Sequence, residues 1–196
     1  GDAYRHQAAY QDSAQPALLF VNALRGLRPT YERPRDWQDA QLDDAIAHLQ
    51  KTGHQAQAAY LKAYALFLDK QFEQVLALPS PGQEDATLAF SHQMLRIWAW
   101  QGMKAFDKAE QALMALVASP LGQAQQAFVE NVLADHWGRT GNTAAIFQPG
   151  SPITQLRIRA AVLKQEAEPA LLRQQASQGP SAAERQIALH TLLVRD

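Results

Sequence analysis

The segment DKQFEQV at residues 69–75 returns in altered form as MKAFDKA at residues 103–109. In each segment a Phe stands three residues before a small or β-branched apolar residue, and Phe106 follows Phe72 after 34 positions. A third unit carries the turn RTGNT, whose last residue, Thr143, lies 37 positions beyond Phe106. Self-similarity at a nearly constant period of this length predicts repeated structural units.

An apolar helix is predicted before each of these turns. In all three units a large apolar residue stands six positions before the Phe or Thr named above, and these residues are Leu66, Trp100 and Trp137. A second helix is predicted after each turn. The predicted unit is therefore helix, tight turn, helix. A pair of this kind has one apolar face that it buries only by stacking on the next pair.

The three units resemble the tetratricopeptide repeat, a pair of antiparallel helices with a period of 34 residues. The third unit is most similar in its first helix, through Leu133, Ala134 and Trp137, followed by the turn Gly141-Asn142. The second unit is most similar in its second helix, through Phe106, Ala109, Leu113 and the closing Pro120.

Two departures from the repeat pattern stand out within the resemblance, which covers about residues 56–147. The second unit has Arg96-Ile97 where the family has Leu and a small residue. In the first unit Pro79 and Pro81 cut the second helix short, because proline cannot continue a helix. The chain is therefore expected to be a divergent member of the family or of a related helix-pair family.

Helices are also predicted outside the repeats. A helix over residues 36–50 has an apolar stripe of Leu42, Ile46 and Leu49, and three more helices are expected to start near Pro152, Pro169 and Pro180. The connections between helices are short and contain Pro or Gly, which is typical of turns within a domain; they lie near residues 29–36, 79–84, 119–123, 148–152 and 178–181.

The predicted fold class is all-α, with about ten helices, since no segment of comparable length alternates apolar and polar residues. The resemblance implies a right-handed α-solenoid of stacked antiparallel helix pairs. Residues 1–196 are expected to form a single solenoid domain that is a fragment of a longer chain. Repeats are clearest over residues 56–147.

Composition and charge exclude several function classes. The formal net charge is -1, so bulk attraction to nucleic acid is absent. Without cysteine the chain has no disulfide, thiolate nucleophile or cysteine-bound zinc, and no stretch approaches the 18 apolar residues of a membrane span. The bias toward Ala (36) and Gln (24) without Cys favours a bacterial periplasm or cell envelope over the cytoplasm.

No catalytic, cofactor or metal site is predicted. No two of the six histidines have the i, i+4 spacing that places two imidazoles on one helix face. The adjacent pair Asp135-His136 is interpreted as a helix surface position, and the basic cluster Arg157, Arg159 and Lys164 as a solvated helix surface. The aspartates at positions 36, 39, 43 and 44 are interpreted as a solvated face near a helix N-terminus.

The resemblance implies a partner-binding groove, since the first helix of each pair lines the concave side of a tetratricopeptide superhelix. The ligand-facing positions of the family fall here on three sets, each with i, i+4 spacing: Tyr60 and Tyr64; Met94 and Trp98; and Asn131, Asp135 and Arg139. Of the two neighbouring tryptophans, Trp100 is assigned to the core and Trp98 to the groove. The alternative is that these residues pack against a neighbouring helix pair or a terminal helix.

The expected function is a non-catalytic scaffold that binds a protein or peptide partner in this groove. One alternative is the helical accessory domain of a larger bacterial envelope enzyme of the cell-wall lytic type, with catalysis in a separate domain. Another is a self-assembling structural repeat that stacks through open solenoid ends as a homo-oligomer.

Overall fold

The computed structural model describes residues 35–80, 86–165 and 167–195. The predicted connection at residues 29–36 lies almost wholly outside these ranges, as does Pro81. Of the described residues, 79% are helical and none is in a strand, which confirms the all-α fold class.

Nine α-helices and one 3-10 helix make up the described part of the chain. They are α1 (Arg35–Lys51), α2 (Gln55–Leu68), α3 (Phe72–Ala77), α4 (Ala86–Gly102), α5 (Phe106–Val117), α6 (Gln123–Arg139), the 3-10 helix (Thr143–Phe147), α7 (Leu156–Gln165), α8 (Pro169–Gln178) and α9 (Ala182–Arg195). The chain divides into two compact parts, which we call unit 1 and unit 2 and which differ from the three repeats of the sequence. Unit 1 ends at Ala105 and unit 2 begins at Phe106. Within each unit, most helices adjacent in sequence pack together, an arrangement compatible with a helical repeat.

Four helices end in the same turn. After α1, α2, α4 and α6 the backbone enters the left-handed region at Gly53, Lys70, Lys104 and Gly141, with φ of 89°, 59°, 60° and 77°. Each of these residues donates its N–H to the carbonyl three residues back, and the next residue donates to the carbonyl five residues back. This pair of bonds is the Schellman motif, which satisfies carbonyls that a helix end leaves open.

The repeated turns coincide with the repeats of the sequence. Lys70 and Lys104 are 34 residues apart, and Gly141 follows after another 37. The carbonyls that accept the longer bond in these three turns belong to Leu66, Trp100 and Trp137, the large apolar residues aligned from the sequence. The recurrent segments therefore encode one backbone turn, although only the third uses the glycine that left-handed φ favours.

In unit 1, α2 lies between its neighbours and buries two faces. Ala58, Leu61 and Ala65 pack against the apolar stripe of α1, and Tyr60 and Ala63 pack with residues of α3 and α4. The alanines allow close approach of the helix axes, to roughly 8–10 Å in packings of this kind. Because α2 is buried on two sides, it packs against α1 with one face and against α3 and α4 with the other.

The departure from the repeat at Arg96 has a structural reason. The second helix of the first repeat, α3, has only six residues and stops at Ala77, two residues before Pro79, as predicted. Arg96 of α4 donates from Nη1 to the carbonyls of Leu76 and Leu78 at 3.0 and 3.1 Å, and its guanidinium lies 5.7 Å from the Trp100 ring centroid. Arg96 therefore caps the C-terminal end of the shortened helix.

Close packing also explains a glycine in this unit. A Cβ built on Gly102, at the end of α4, would lie 2.5 Å from the ring of Phe72. The Phe72 ring also contacts Phe67, with ring centroids 5.6 Å apart. The absence of a side chain at Gly102 therefore leaves room for the Phe72 ring and allows α3 to pack on α4.

In unit 2, a buried carboxylate sets the start of α7. Glu130 of α6 is 1% exposed and accepts bonds from the N–H groups of Thr154 and Gln155 at 2.9 and 3.0 Å, and from the Thr154 hydroxyl at 3.0 Å. The sequence prediction that this helix has Pro152 in its first turn is wrong, because α7 begins at Leu156. Glu130 caps the helix end through groups that a start at Pro152 would have placed inside the helix.

The other helix boundaries of unit 2 agree only in part with those predicted from the sequence. Pro169 opens α8, and α9 follows Pro180, as predicted. The second helix of the third repeat is reduced to the 3-10 helix Thr143–Phe147. Pro149 and Gly150, which has φ of 80°, follow directly and prevent its extension.

Two histidines are buried, each 1% exposed: His92 in α4 and His136 in α6. Burial lowers the pKa of both imidazoles, and the Arg96 charge lowers the pKa of His92 further. For His136, Arg139 also lowers the pKa, whereas Glu110 and Asp135 oppose the shift. The interpretation of His136 as a surface residue is wrong, because the 100° step from exposed Asp135 turns it into the core.

We expect Gly102→Ala to lower the free energy of unfolding by about 1–3 kcal/mol, because the added methyl group displaces the Phe72 ring. Urea denaturation of the single and double variants measures the effect. In a Phe72→Ala background the same substitution should be neutral or stabilising, since Ala is the better helix former. An equal loss in both backgrounds would show that the ring contact is not the cause.

We expect the free energy of unfolding to fall as pH drops below 6.5, the usual pKa of histidine. The pKa of His92 and of His136 is lowered in the folded protein, so the unfolded chain binds more protons as the pH falls and acid favours unfolding. Urea denaturation between pH 5 and 8 measures the slope. His92→Leu should reduce this slope, while His48→Gln on the exposed face of α1 should leave it unchanged; equal slopes for the two variants would contradict the assignment.

Candidate functional site

The four predicted groove residues of unit 1 contact its core. Tyr60 and Met94 are buried, at 8% and 2% exposure, while Tyr64 and Trp98 are half-buried. Tyr60 and Tyr64 stack with ring centroids 6.2 Å apart, and Trp98 lies 6.2 Å from Phe67. The structure therefore brings these aromatic rings onto one apolar cluster, and Tyr64 and Trp98 keep a partly accessible surface.

Tyr60 is engaged within unit 1. Its hydroxyl pairs with Ser91 of α4, and burial raises the pKa of the phenol, with a further contribution from Tyr64. A phenol that stays neutral and hydrogen-bonded internally stabilises the packing of α2 on α4. Trp100, assigned to the core from the sequence, is half-buried, as is Trp98.

The three predicted groove residues of unit 2 lie exposed on one face of α6. Asn131, Asp135 and Arg139 follow one another at i, i+4 spacing, and we refer to them as the α6 row. Arg139 forms an ion pair with Asp135 through Nη2 and Oδ2. Of the predicted site residues, these three present the most accessible polar groups.

The opposite face of α6 is fixed to α5. The indole N–H of Trp137 donates to Oε1 of Glu110 at 2.9 Å, and His136 Nε2 lies 3.8 Å from the other oxygen of the same carboxylate. The Phe106 ring meets the His136 ring edge-on, with centroids 6.0 Å apart. These contacts orient α6 and hold the α6 row on its outer face.

A cleft of about 720 Å³ opens beside the C-terminal half of the α6 row. It lies between the end of α6, the start of the 3-10 helix and the start of α8. Its lining residues are Asp135, Gly138, Arg139, Gly141, Thr143, Ala144, Glu168, Ala170, Leu171 and Gln174. Two residues of the predicted groove, Asp135 and Arg139, thus border a concavity with the volume of a small-ligand or peptide-side-chain site.

A buried cation holds the wall of the cleft that the 3-10 helix provides. Arg159 of α7 is 8% exposed and pairs with Glu184 of α9, which is 3% exposed. Its Nη1 donates to the carbonyls of Ile146 and Ile153 at 2.7 and 3.2 Å. The guanidinium also lies 5.0 Å from the Phe147 ring centroid, so one side chain connects α7, α9 and the 3-10 helix.

The interpretation of Arg157, Arg159 and Lys164 as a solvated basic cluster is wrong for Arg159. Residues two apart on a helix point about 200° apart, so exposed Arg157 and buried Arg159 occupy opposite faces of α7. A basic residue is buried in this way only where an acid and carbonyl oxygens are available to it. Those partners come from α9, the 3-10 helix and the segment before α7.

The sequence did not indicate which residues line the cleft on the α8 side. Glu168, Leu171 and Gln174 belong to the start of α8, which the sequence located through Pro169 without indicating its neighbour. The relevant local signals are Gly141, where the chain reverses after α6, and Pro169. Their proximity is a property of the packing of unit 2.

Residues 35–80, 86–165 and 167–195 contain no group of three or more His, Cys, Asp or Glu side chains positioned to hold a metal ion. No helix among the same residues has the length and apolar character needed to cross a membrane. Of the four aspartates interpreted as a solvated face, Asp36, Asp43 and Asp44 are exposed on α1, whereas Asp39 is half-buried with its Oδ1 3.7 Å from Nε of Arg35. Comparisons with protein-family models, curated proteins and solved structures find no match for this chain.

We expect Arg159→Met to lower the free energy of unfolding of the chain by about 3–5 kcal/mol, because it leaves the Glu184 charge buried without its partner. Thermal and urea denaturation measure the loss. Arg157→Met, two residues away on the exposed face of α7, is the matched control and should change stability by less than about 0.5 kcal/mol. Similar losses in both variants would refute the structural role given to Arg159.

Proposed function

We propose that the chain is a right-handed α-solenoid of tetratricopeptide-like helix pairs that acts as a non-catalytic scaffold for a partner protein. The recurrent Schellman turns at Lys70, Lys104 and Gly141 support the repeat assignment. Packing between consecutive helices within each unit supports it further. A scaffold of this kind presents side chains on a rigid surface to an extended or helical segment of its partner.

The observation that carries the proposal is the cleft beside Asp135 and Arg139. These two positions were expected to face a ligand from the family resemblance, and they line a concavity of about 720 Å³ in unit 2. Concave sites with a few polar groups and an apolar wall are where proteins bind small molecules and peptide side chains.

Binding would use the rigidity of α6. Because Trp137 and His136 fix the opposite face of the helix, the backbone that carries Asn131 and Arg139 loses little conformational freedom when a partner binds. Asn131 would hydrogen-bond the backbone of the partner segment and fix its register, while the Asp135–Arg139 ion pair would contact polar groups at the cleft. In unit 1, Tyr64 and Trp98 are proposed to contact the partner, with Tyr60 and Met94 supporting them from within the core.

A random dodecapeptide display library provides a partner-independent test. Peptides selected on the wild-type chain should lose about five-fold or more in affinity toward an Asn131→Ala, Arg139→Ala double variant, because truncating central interface residues costs this much. Fluorescence polarisation with labelled peptides measures the affinities. Lys62→Ala, which removes an exposed cation from α2, is the control and should bind as the wild type does.

Two outcomes would refute this proposal. One is a library that yields no peptide bound by the folded chain. The other is a set of peptides whose affinity is the same for the double variant and for wild type, because binding would then occur away from the α6 row. The envelope-enzyme and self-assembly alternatives stay predictions, since no contact in the described residues favours either.

A further inference from the structure

Among the described residues that line the cleft, the formal charges cancel except at one residue. Asp135 and Arg139 neutralise each other through their ion pair. The two helix ends that border the cleft also carry opposite partial charges, about -0.5 at the C-terminus of α6 and about +0.5 at the N-terminus of α8. The remaining formal charge in the lining is the carboxylate of Glu168.

Glu168 is placed to bind a group from outside the chain. It occupies the N-cap position of α8, where its side chain makes no capping hydrogen bond, and it is exposed. Among the residues that the structure describes, none forms an ion pair with it. Its carboxylate is therefore available to a cation that enters the cleft.

The wall next to Glu168 is apolar. Leu171 is half-buried and, with Ala144 and Ala170, forms a hydrocarbon surface within the cleft. A lysine or arginine side chain combines an aliphatic stem with a charged head and covers apolar surface while its head contacts a polar group. Acidic side chains lack such a stem and would be repelled by Glu168, and neutral aliphatic side chains would leave the carboxylate without a partner.

We propose that the cleft binds a basic side chain of a partner segment, with the cationic head against Glu168 and the aliphatic stem across Leu171. This inference rests on the proposed scaffold function and specifies the chemistry of its ligand. The Asp135–Arg139 ion pair lies beside the cationic head. Because its two charges offset each other, Glu168 gives the lining its net negative charge. Added salt should weaken the attraction between Glu168 and the cationic head, because Glu168 is exposed to solvent.

The test uses three acetylated and amidated pentapeptides that differ only at the central residue of an alanine sequence: lysine, norleucine or glutamate. Titration of the isotope-labelled chain is followed through the amide NMR signals of Gly138, Gly141 and Leu171. The lysine peptide should shift these signals and bind about three- to five-fold more tightly than the norleucine peptide, the range of an exposed ion pair. The glutamate peptide should bind most weakly.

Glu168→Gln should remove the preference for lysine over norleucine. Glu73→Gln, which removes another exposed carboxylate, from α3, is the matched control and should retain the preference. Both variants should keep the wild-type pattern of amide signals away from the cleft, which shows that each is folded.

The inference fails if lysine and norleucine peptides bind alike to the wild type, or if Glu168→Gln retains the preference. Either result leaves the scaffold function standing provided that display-selected peptides still depend on the α6 row. If selected peptides ignore the α6 row but the lysine preference at Glu168 is observed, the scaffold proposal fails and the basic side-chain site remains.

Discussion

The end of a helix leaves carbonyl groups without partners, and in the described part of this chain four helix ends satisfy them with the same Schellman turn. The turn reverses the chain within about three residues, so the next helix is directed back along the one before it. Short helices of 6–17 residues are marginally stable alone and depend on burying an apolar face. The turn supplies the neighbour against which that face is buried.

Polar side chains also bond backbone groups near helix ends that the Schellman turns do not serve. Where α3 ends early, Arg96 donates to its last carbonyls, and where α7 begins late, Glu130 accepts from its first N–H groups. Arg159 connects α7, α9 and the 3-10 helix through an acid and two carbonyls. Each of these residues stands where the repeat pattern is shortened or irregular, so a buried or half-buried charged side chain satisfies backbone groups at each of these places.

The proposed binding surface depends on the same division. One face of α6 is fixed by Trp137, His136 and Glu110, which leaves the α6 row on a rigid support. The 3-10 helix stands where the repeat pattern predicts a longer second helix, and its residues Thr143 and Ala144 line the cleft next to Arg139. The cleft on which the functional proposal rests therefore borders a shortened part of the repeat pattern.

The sequence by itself determined the helical class, the positions of the repeated turns and most helix boundaries, because periodicity, proline and turn residues act through neighbours a few positions apart. It also determined that Asn131, Asp135 and Arg139 share a face, since that follows from helix geometry alone. Only the tertiary structure decided that Arg159 and His136 are buried, that α7 begins at Leu156 and that Glu168 and Leu171 lie beside the end of α6. Those outcomes depend on contacts between residues some 25 or more positions apart in the chain, or on which face of a helix is covered by its neighbours. Local sequence patterns do not encode either.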